Sequence, residues 1–110
     1  MAEKEFMLGI IGGSGIYEIE GVENGEWSRV STPYGDPSDE ILIGTLNKIK
    51  VAFLPRHGRG HLYSPSTVPY QANLYAMKLL GVTDILAISA CGSLREDFKP
   101  GDFVIVDQFI

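Results

Sequence analysis

The feature that most constrains this chain is a set of short apolar runs that scarcely alternate with polar residues. They read FMLGII at 6–11, EILIGTL at 40–46, IKVAFL at 49–54, DILAISA at 84–90 and FVIVDQFI at 103–110. Strict alternation would mark half-exposed strands, whereas runs this apolar belong to strands buried on both faces. Asn47-Lys48 between two of them predicts an antiparallel hairpin. A further strand is expected at 27–31, before the turn signal Pro33-Tyr34-Gly35. The residues give only one helix. Its signals are Thr67 as N-cap, Pro69 in the first turn, Tyr70, Leu74, Met77 and Leu80 at helical spacing, and Gly81 as the stop. About six strands and one helix cannot cover both faces of such a sheet. The expectation is therefore an α/β chain whose residues 1–110 form the N-terminal part of a larger single domain.

Composition removes several classes of function. Apolar residues are 45% and charged residues 21%, the balance of a folded chain. No apolar run approaches the roughly 18 residues of a membrane span, and MAEKEF lacks the basic start of a secretory signal. No membrane partner and a cytoplasmic location are expected. The single cysteine, Cys91, can form neither an intrachain disulfide nor a cysteine-based zinc site. A formal net charge of −5 argues against nucleic acid as a partner, because phosphate neutralisation requires a basic face. The charge is unevenly spread. Between Ile41 and Thr83 there is no acid, while Lys48, Lys50, Arg56, Arg59 and Lys78 all fall there. Such a segment fits either a small-anion site or ordinary solvated faces.

Three strand ends carry the chemistry. Gly12-Gly13-Ser14-Gly15 follows the first run, but Glu18 stands where the dinucleotide fingerprint needs its third glycine, and no GK[ST] follows. What remains is a turn whose backbone N–H groups and Ser14 hydroxyl can face an anion, or a turn of purely structural value. Arg56-His57 follows the 49–54 run. A guanidinium fork there suits phosphate, with a surface arginine and a capping histidine as the alternative. His57 and His61 have zinc-ligand spacing only on a helix, which Pro55, Gly58 and Gly60 oppose, so no metal is expected. Ser89-Ala90-Cys91-Gly92-Ser93 is the third junction of small residues. In α/β sheets, ligands sit beyond the carboxyl ends of strands. Three such ends fit one shared phosphate site, and this pattern names no reaction.

At these residues the chain resembles the methylthioadenosine phosphorylase branch of the trimeric purine nucleoside phosphorylase family. The segments that carry the resemblance are GIIGGSG at 9–15, TPYGDPSD at 32–39, LPRHGRGH at 54–61, PYQANLYAMK at 69–78, SACGSLRE at 89–96 and PGDFVIVDQFI at 100–110. It implies a mixed central sheet with flanking helices, and phosphorolysis of 5′-methylthioadenosine to adenine and 5-methylthioribose 1-phosphate. It implies phosphate ligands at Ser14, Arg56, His57 (as a hydrogen-bond donor), Ser89 and the N–H of Ala90. Inorganic phosphate is then a substrate, no cofactor is needed, and the assembly is a homotrimer or a hexamer made of two trimers. Family members are more than twice as long, and their purine-gripping residues fall in the part not matched here. The alternatives are a phosphorylase for purine nucleosides or methylthioinosine, and a non-catalytic anion-binding or assembly fragment.

Overall fold

The computed structural model describes residues 5–13, 19–60, 62–89 and 94–106. Five strands form one mixed sheet: β1 (Met7–Gly12), β2 (Glu23–Ser28), β3 (Ile41–Leu46), β4 (Ile49–Pro55) and β5 (Asp84–Ile88), with α1 (Tyr70–Leu80) between the last two. The sheet order is β2-β3-β4-β1-β5. β2, β3 and β4 are antiparallel neighbours, and β1 lies parallel to both β4 and β5. The β3–β4 hairpin turns at Asn47 (φ 47°) and Lys48 (φ 67°). Two successive positive φ values match the right-handed strand twist, which is why a two-residue loop works there.

The centre of the sheet is buried on both faces, as its apolar runs predict. On one face Met7, Ile11, Ile41, Ala52 and Leu54 pack with Ala76 and Met77 of α1. On the other, Ile10, Val51 and Phe53 pack under Ile19, Val22 and Trp27, with the Trp27 and Phe53 rings edge-on at 6.5 Å. Phe53 and Leu54 are wholly buried, and each side chain contributes about 1.5–3 kcal/mol on leaving water.

The helix ends where Gly81 adopts the left-handed conformation (φ 88°) and returns its N–H to the Lys78 carbonyl. Its start and its inward face differ from expectation. Pro69 is the N-cap, without a side-chain hydrogen bond. Thr67 closes the preceding turn instead, its Oγ1 accepting from the Ser64 N–H at 2.9 Å. Ala72, Asn73, Ala76 and Met77 face inward, while Tyr70 and Leu74 are about half exposed, at 50% and 52%. Small alanines let the helix approach the sheet closely; of the expected apolar positions Met77 is buried and Leu80 packs against the core, while Tyr70 and Leu74 do not.

At β5 the strand forms but its burial does not follow: Asp84 to Ala87 are exposed and Ile88 is intermediate. Among the described residues β5 pairs with β1 alone, and the core cluster that includes α1 contains no β5 residue. Residues 103–106, expected as the start of a strand, pair with no strand among the described residues and are exposed. The turn before them forms as expected, with the Asp102 N–H donating to the Lys99 carbonyl at 3.0 Å. Positions 107–110 lie outside the described residues.

Candidate functional site

Parallel pairing brings the carboxyl ends of β4, β1 and β5 to one edge. Gly12 stands opposite Pro55 on one side and Ile88 on the other. Immediately beyond, the Arg56 N–H donates to the Gly12 carbonyl at 2.8 Å, and the Gly13 N–H donates to the Ile88 carbonyl at 2.6 Å. The three junctions singled out in the sequence are thus stitched together by backbone bonds.

Arg56 and Ser89 flank Gly13. A methyl group on Gly13 would stand 2.9 Å from Arg56 Nη2, 3.0 Å from Ser89 Cβ and 3.1 Å from the Ile88 carbonyl. Glycine is required there for close approach. The Arg56 Nε is buried with no hydrogen-bond partner among the described residues. A cationic donor left in that state costs on the order of 1–3 kcal/mol until an acceptor arrives. His57, adjacent, is 1% exposed. Its Nδ1 lies 2.8 Å from the Tyr63 carbonyl and its Nε2 3.4 Å from Arg56 Nη2. Of the five expected phosphate ligands, Arg56, His57 and Ser89 share this edge, while Ser14 and Ala90 lie outside the described residues.

The electropositive segment does not converge. Lys48 and Lys50 sit at the opposite end of the sheet, lining an open groove of about 420 Å³ with Glu5 and Glu26. Lys78 is in the last turn of α1. Arg59 is satisfied internally: its Nε and Nη2 grip the Asp39 carboxylate at 2.9 and 3.0 Å, its N–H adds 2.7 Å, and its guanidinium lies 3.8 Å over the Trp27 ring. Burial raises the Asp39 pKa, but hydrogen bonds from the Arg59 side chain and from the N–H groups of Arg59 and Glu40 outweigh it, with the Arg59 charge adding to them; the net shift is downward. The Asp39 hydrogen bond raises that of Arg59. Of the five cations in this segment, only Arg56 brings its charge to the three strand ends. No cluster of three or more His, Cys, Asp or Glu side chains that could hold a metal occurs among the described residues.

Residues 7–110 match the phosphorylase superfamily. This chain belongs to that superfamily. Its sequence is 66% identical over 104 residues to the S-methyl-5′-thioadenosine phosphorylase of Cereibacter sphaeroides, a match covering 94% of this chain and 36% of that protein. The protein of the same name from Hyperthermus butylicus is 55% identical over 103 residues, covering 94% and 38%. Among solved structures, a methylthioadenosine phosphorylase from an antarctic soil metagenomic library superposes with a TM-score of 0.79 at 51% identity, covering 91% of this chain and 35% of that one. The methylthioadenosine phosphorylase of Schistosoma mansoni gives 0.81 at 48% identity, covering 89% and 35%. The chain therefore spans a little over a third of the length of these relatives. The mixed sheet is the corresponding fragment of the nucleoside phosphorylase fold.

Within this phosphorylase-superfamily chain, sequence reasoning found the strand ends but missed what supports them. Asn73 of α1 accepts from the Ser38 N–H at 2.8 Å and donates to the Ser38 hydroxyl at 2.9 Å, both residues buried. The Asp39–Arg59 fork then ties residues 38–40 to the turn that follows Arg56. An isolated polar Asn73 among the apolar residues of a helix was the available signal. The Tyr63 carbonyl had none, since a backbone acceptor leaves no mark on a sequence.

Proposed function

We propose that this chain supplies the phosphate-holding side of a 5′-methylthioadenosine phosphorylase. The observation that carries the reading is Arg56: a buried guanidinium nitrogen without an acceptor among the described residues, beside Gly13 and Ser89 at the meeting point of three parallel strand ends. The names of the relatives support the substrate. Ser14 and the Ala90 N–H complete the proposed ligand set. In the reaction, a phosphate oxygen forms a bond to C1′ as the C1′–N9 bond breaks, its electron pair leaving with the purine. Arg56 fixes the anionic nucleophile and offsets its charge, and preorganised donors of this kind act most strongly where charge moves in the transition state. Phosphate is consumed as substrate, so no cofactor is invoked. A homotrimeric assembly, a place in purine salvage and a cytoplasmic location belong to the same proposal.

The test is a chimera in which this chain replaces the matched 104 residues of the Cereibacter sphaeroides relative. Phosphate-dependent release of adenine from methylthioadenosine, within about tenfold of the parent, is the expected result (about 1.4 kcal/mol). A chimera that folds, by circular dichroism and thermal melting, yet releases no adenine would leave the non-catalytic anion-binding reading in its place.

A further inference from the structure

The geometry points to His57 as a positioning residue that acts on the anion through Arg56, by way of the Tyr63 carbonyl, and not as a direct side-chain donor to it. This rests on the phosphate reading above for its purpose, but not for its geometry. A backbone carbonyl can only accept, so the 2.8 Å contact between Tyr63 O and His57 Nδ1 places a proton on Nδ1. In the neutral ring Nε2 is then an acceptor, and among the described residues Arg56 Nη2 lies 3.4 Å from it. A guanidinium can only donate. Protons therefore run one way along the relay, from Arg56 to His57 and from His57 to Tyr63. The lone pair that meets the cation is fixed by a carbonyl six residues along the chain.

Three features make this more than an incidental contact. His57 is 1% exposed, so its ring cannot swing to another partner without opening the core. The backbone on both sides of the relay is closed as well: the Tyr63 N–H donates to the His57 carbonyl at 3.0 Å and the Gly58 N–H to the Pro55 carbonyl at 3.0 Å. Finally, an unbranched arginine side chain carries substantial rotamer entropy, and an acceptor that holds one Nη fixes the plane in which the remaining N–H groups are presented. The held nitrogen is the one nearest Gly13, so the histidine sets how the guanidinium lies across the strand ends.

Two amide substitutions divide the relay. His57→Gln places an acceptor near the Nε2 position and gives up the Tyr63 contact, while His57→Asn keeps a donor near Nδ1 and removes the acceptor facing Arg56. Inorganic phosphate binding to the 110-residue chain is measured by calorimetry. His57→Asn is expected to weaken binding about tenfold and His57→Gln less than about threefold, because only the first leaves Arg56 unheld. In an Arg56→Ala background, His57→Asn should change affinity by less than about twofold, since the two groups act as one unit. Full additivity in that cycle, or an equal loss for both amides, would overturn the proposal. Nitrogen-15 NMR of the unsubstituted chain provides a readout that does not depend on any variant folding. It should show the Nδ1–H tautomer of His57 and a slowly exchanging Arg56 side chain that becomes mobile in His57→Asn. An Nε2–H tautomer would overturn the relay even if phosphate binds. Failure of the parent chain to bind phosphate, with the tautomer as expected, would count against the anion reading alone.

Discussion

Arg56 and Arg59 lie three residues apart on the same turn, and the turn treats them in opposite ways. Arg59 is held by its own chain: a two-point fork to Asp39, Glu40 at 3.9 Å and the face of Trp27. Arg56 meets the His57 ring at 3.4 Å and keeps a buried Nε without a partner among the described residues. A cation whose Nε and Nη2 are held by a carboxylate of its own chain is structural. One whose donors are withheld from the chain at a junction of strand ends is available to something else. Charge alone does not separate the two, and satisfaction of hydrogen bonds does.

The sharpest way to break this contrast is Arg56→Ala. Phosphate affinity should fall by about 2–4 kcal/mol, the range for a preorganised electrostatic contact, while the melting temperature without phosphate stays level or rises, because an unanswered buried donor is removed. Titration calorimetry beside thermal melting checks both, and unchanged phosphate binding would end the assignment. Next in size is Gly13→Ala. Its methyl group would press on Arg56 Nη2 and, less forgivingly, on the Ile88 carbonyl at 3.1 Å. Overpacking of this kind costs about 1–3 kcal/mol of stability, and phosphate binding should weaken with it; a variant with parental stability and affinity would show that the cradle has slack.

The smallest effects belong to Arg59. Arg59→Ala should lower stability by about 1 kcal/mol, since its partners are partly solvated, and leave phosphate affinity unchanged. The pH dependence of Asp39 sharpens the point. Its folded pKa lies below the ordinary value of 3.8, so its contribution is present above that value and disappears as pH falls through the folded one. The stability gap between the parent chain and Asp39→Asn should hold between about pH 5 and 8 and close below about pH 4. A gap that widens in acid would refute the fork as the cause.

The sequence made the sheet centre and the three strand ends readable because their signals are local: apolar runs, Gly12-Gly13, Gly81, Asn47-Lys48. Where it misled, the deciding partner was distant. Thr67 looks like a helix cap, yet Ser64 claims its hydroxyl. Tyr70 and Leu74 have helical spacing, but contact with β-strand side chains selected Ala72 and Ala76 instead. The five cations between Ile41 and Thr83 form a block in sequence, and the hairpin and helix carry Lys48, Lys50 and Lys78 away from Arg56. His57 was legible as a ligand-edge residue, but the direction of its hydrogen bonds depends on the Tyr63 carbonyl. The apolar character of β5 predicts a strand, which forms, and its exposure fits the expectation that one helix cannot cover both faces of this sheet, because burial is a property of neighbours.

The stitching of Gly13 to Ile88 and of Arg56 to Gly12 has a kinetic side. Those bonds join positions more than 70 and more than 40 residues apart in the chain, respectively, so the proposed anion cradle cannot exist in any species that has formed only the β3–β4 hairpin and α1. Closing such long loops costs entropy before any contact offsets it, which places the cradle late in folding. On the proposed reading, phosphate would recognise only molecules in which β4, β1 and β5 are already in register. By mass action it would hold them there, adding about 2.7 kcal/mol at a concentration 100 times its dissociation constant. The nucleophile of the proposed reaction would thus double as a chaperone-like ligand for the sheet that binds it.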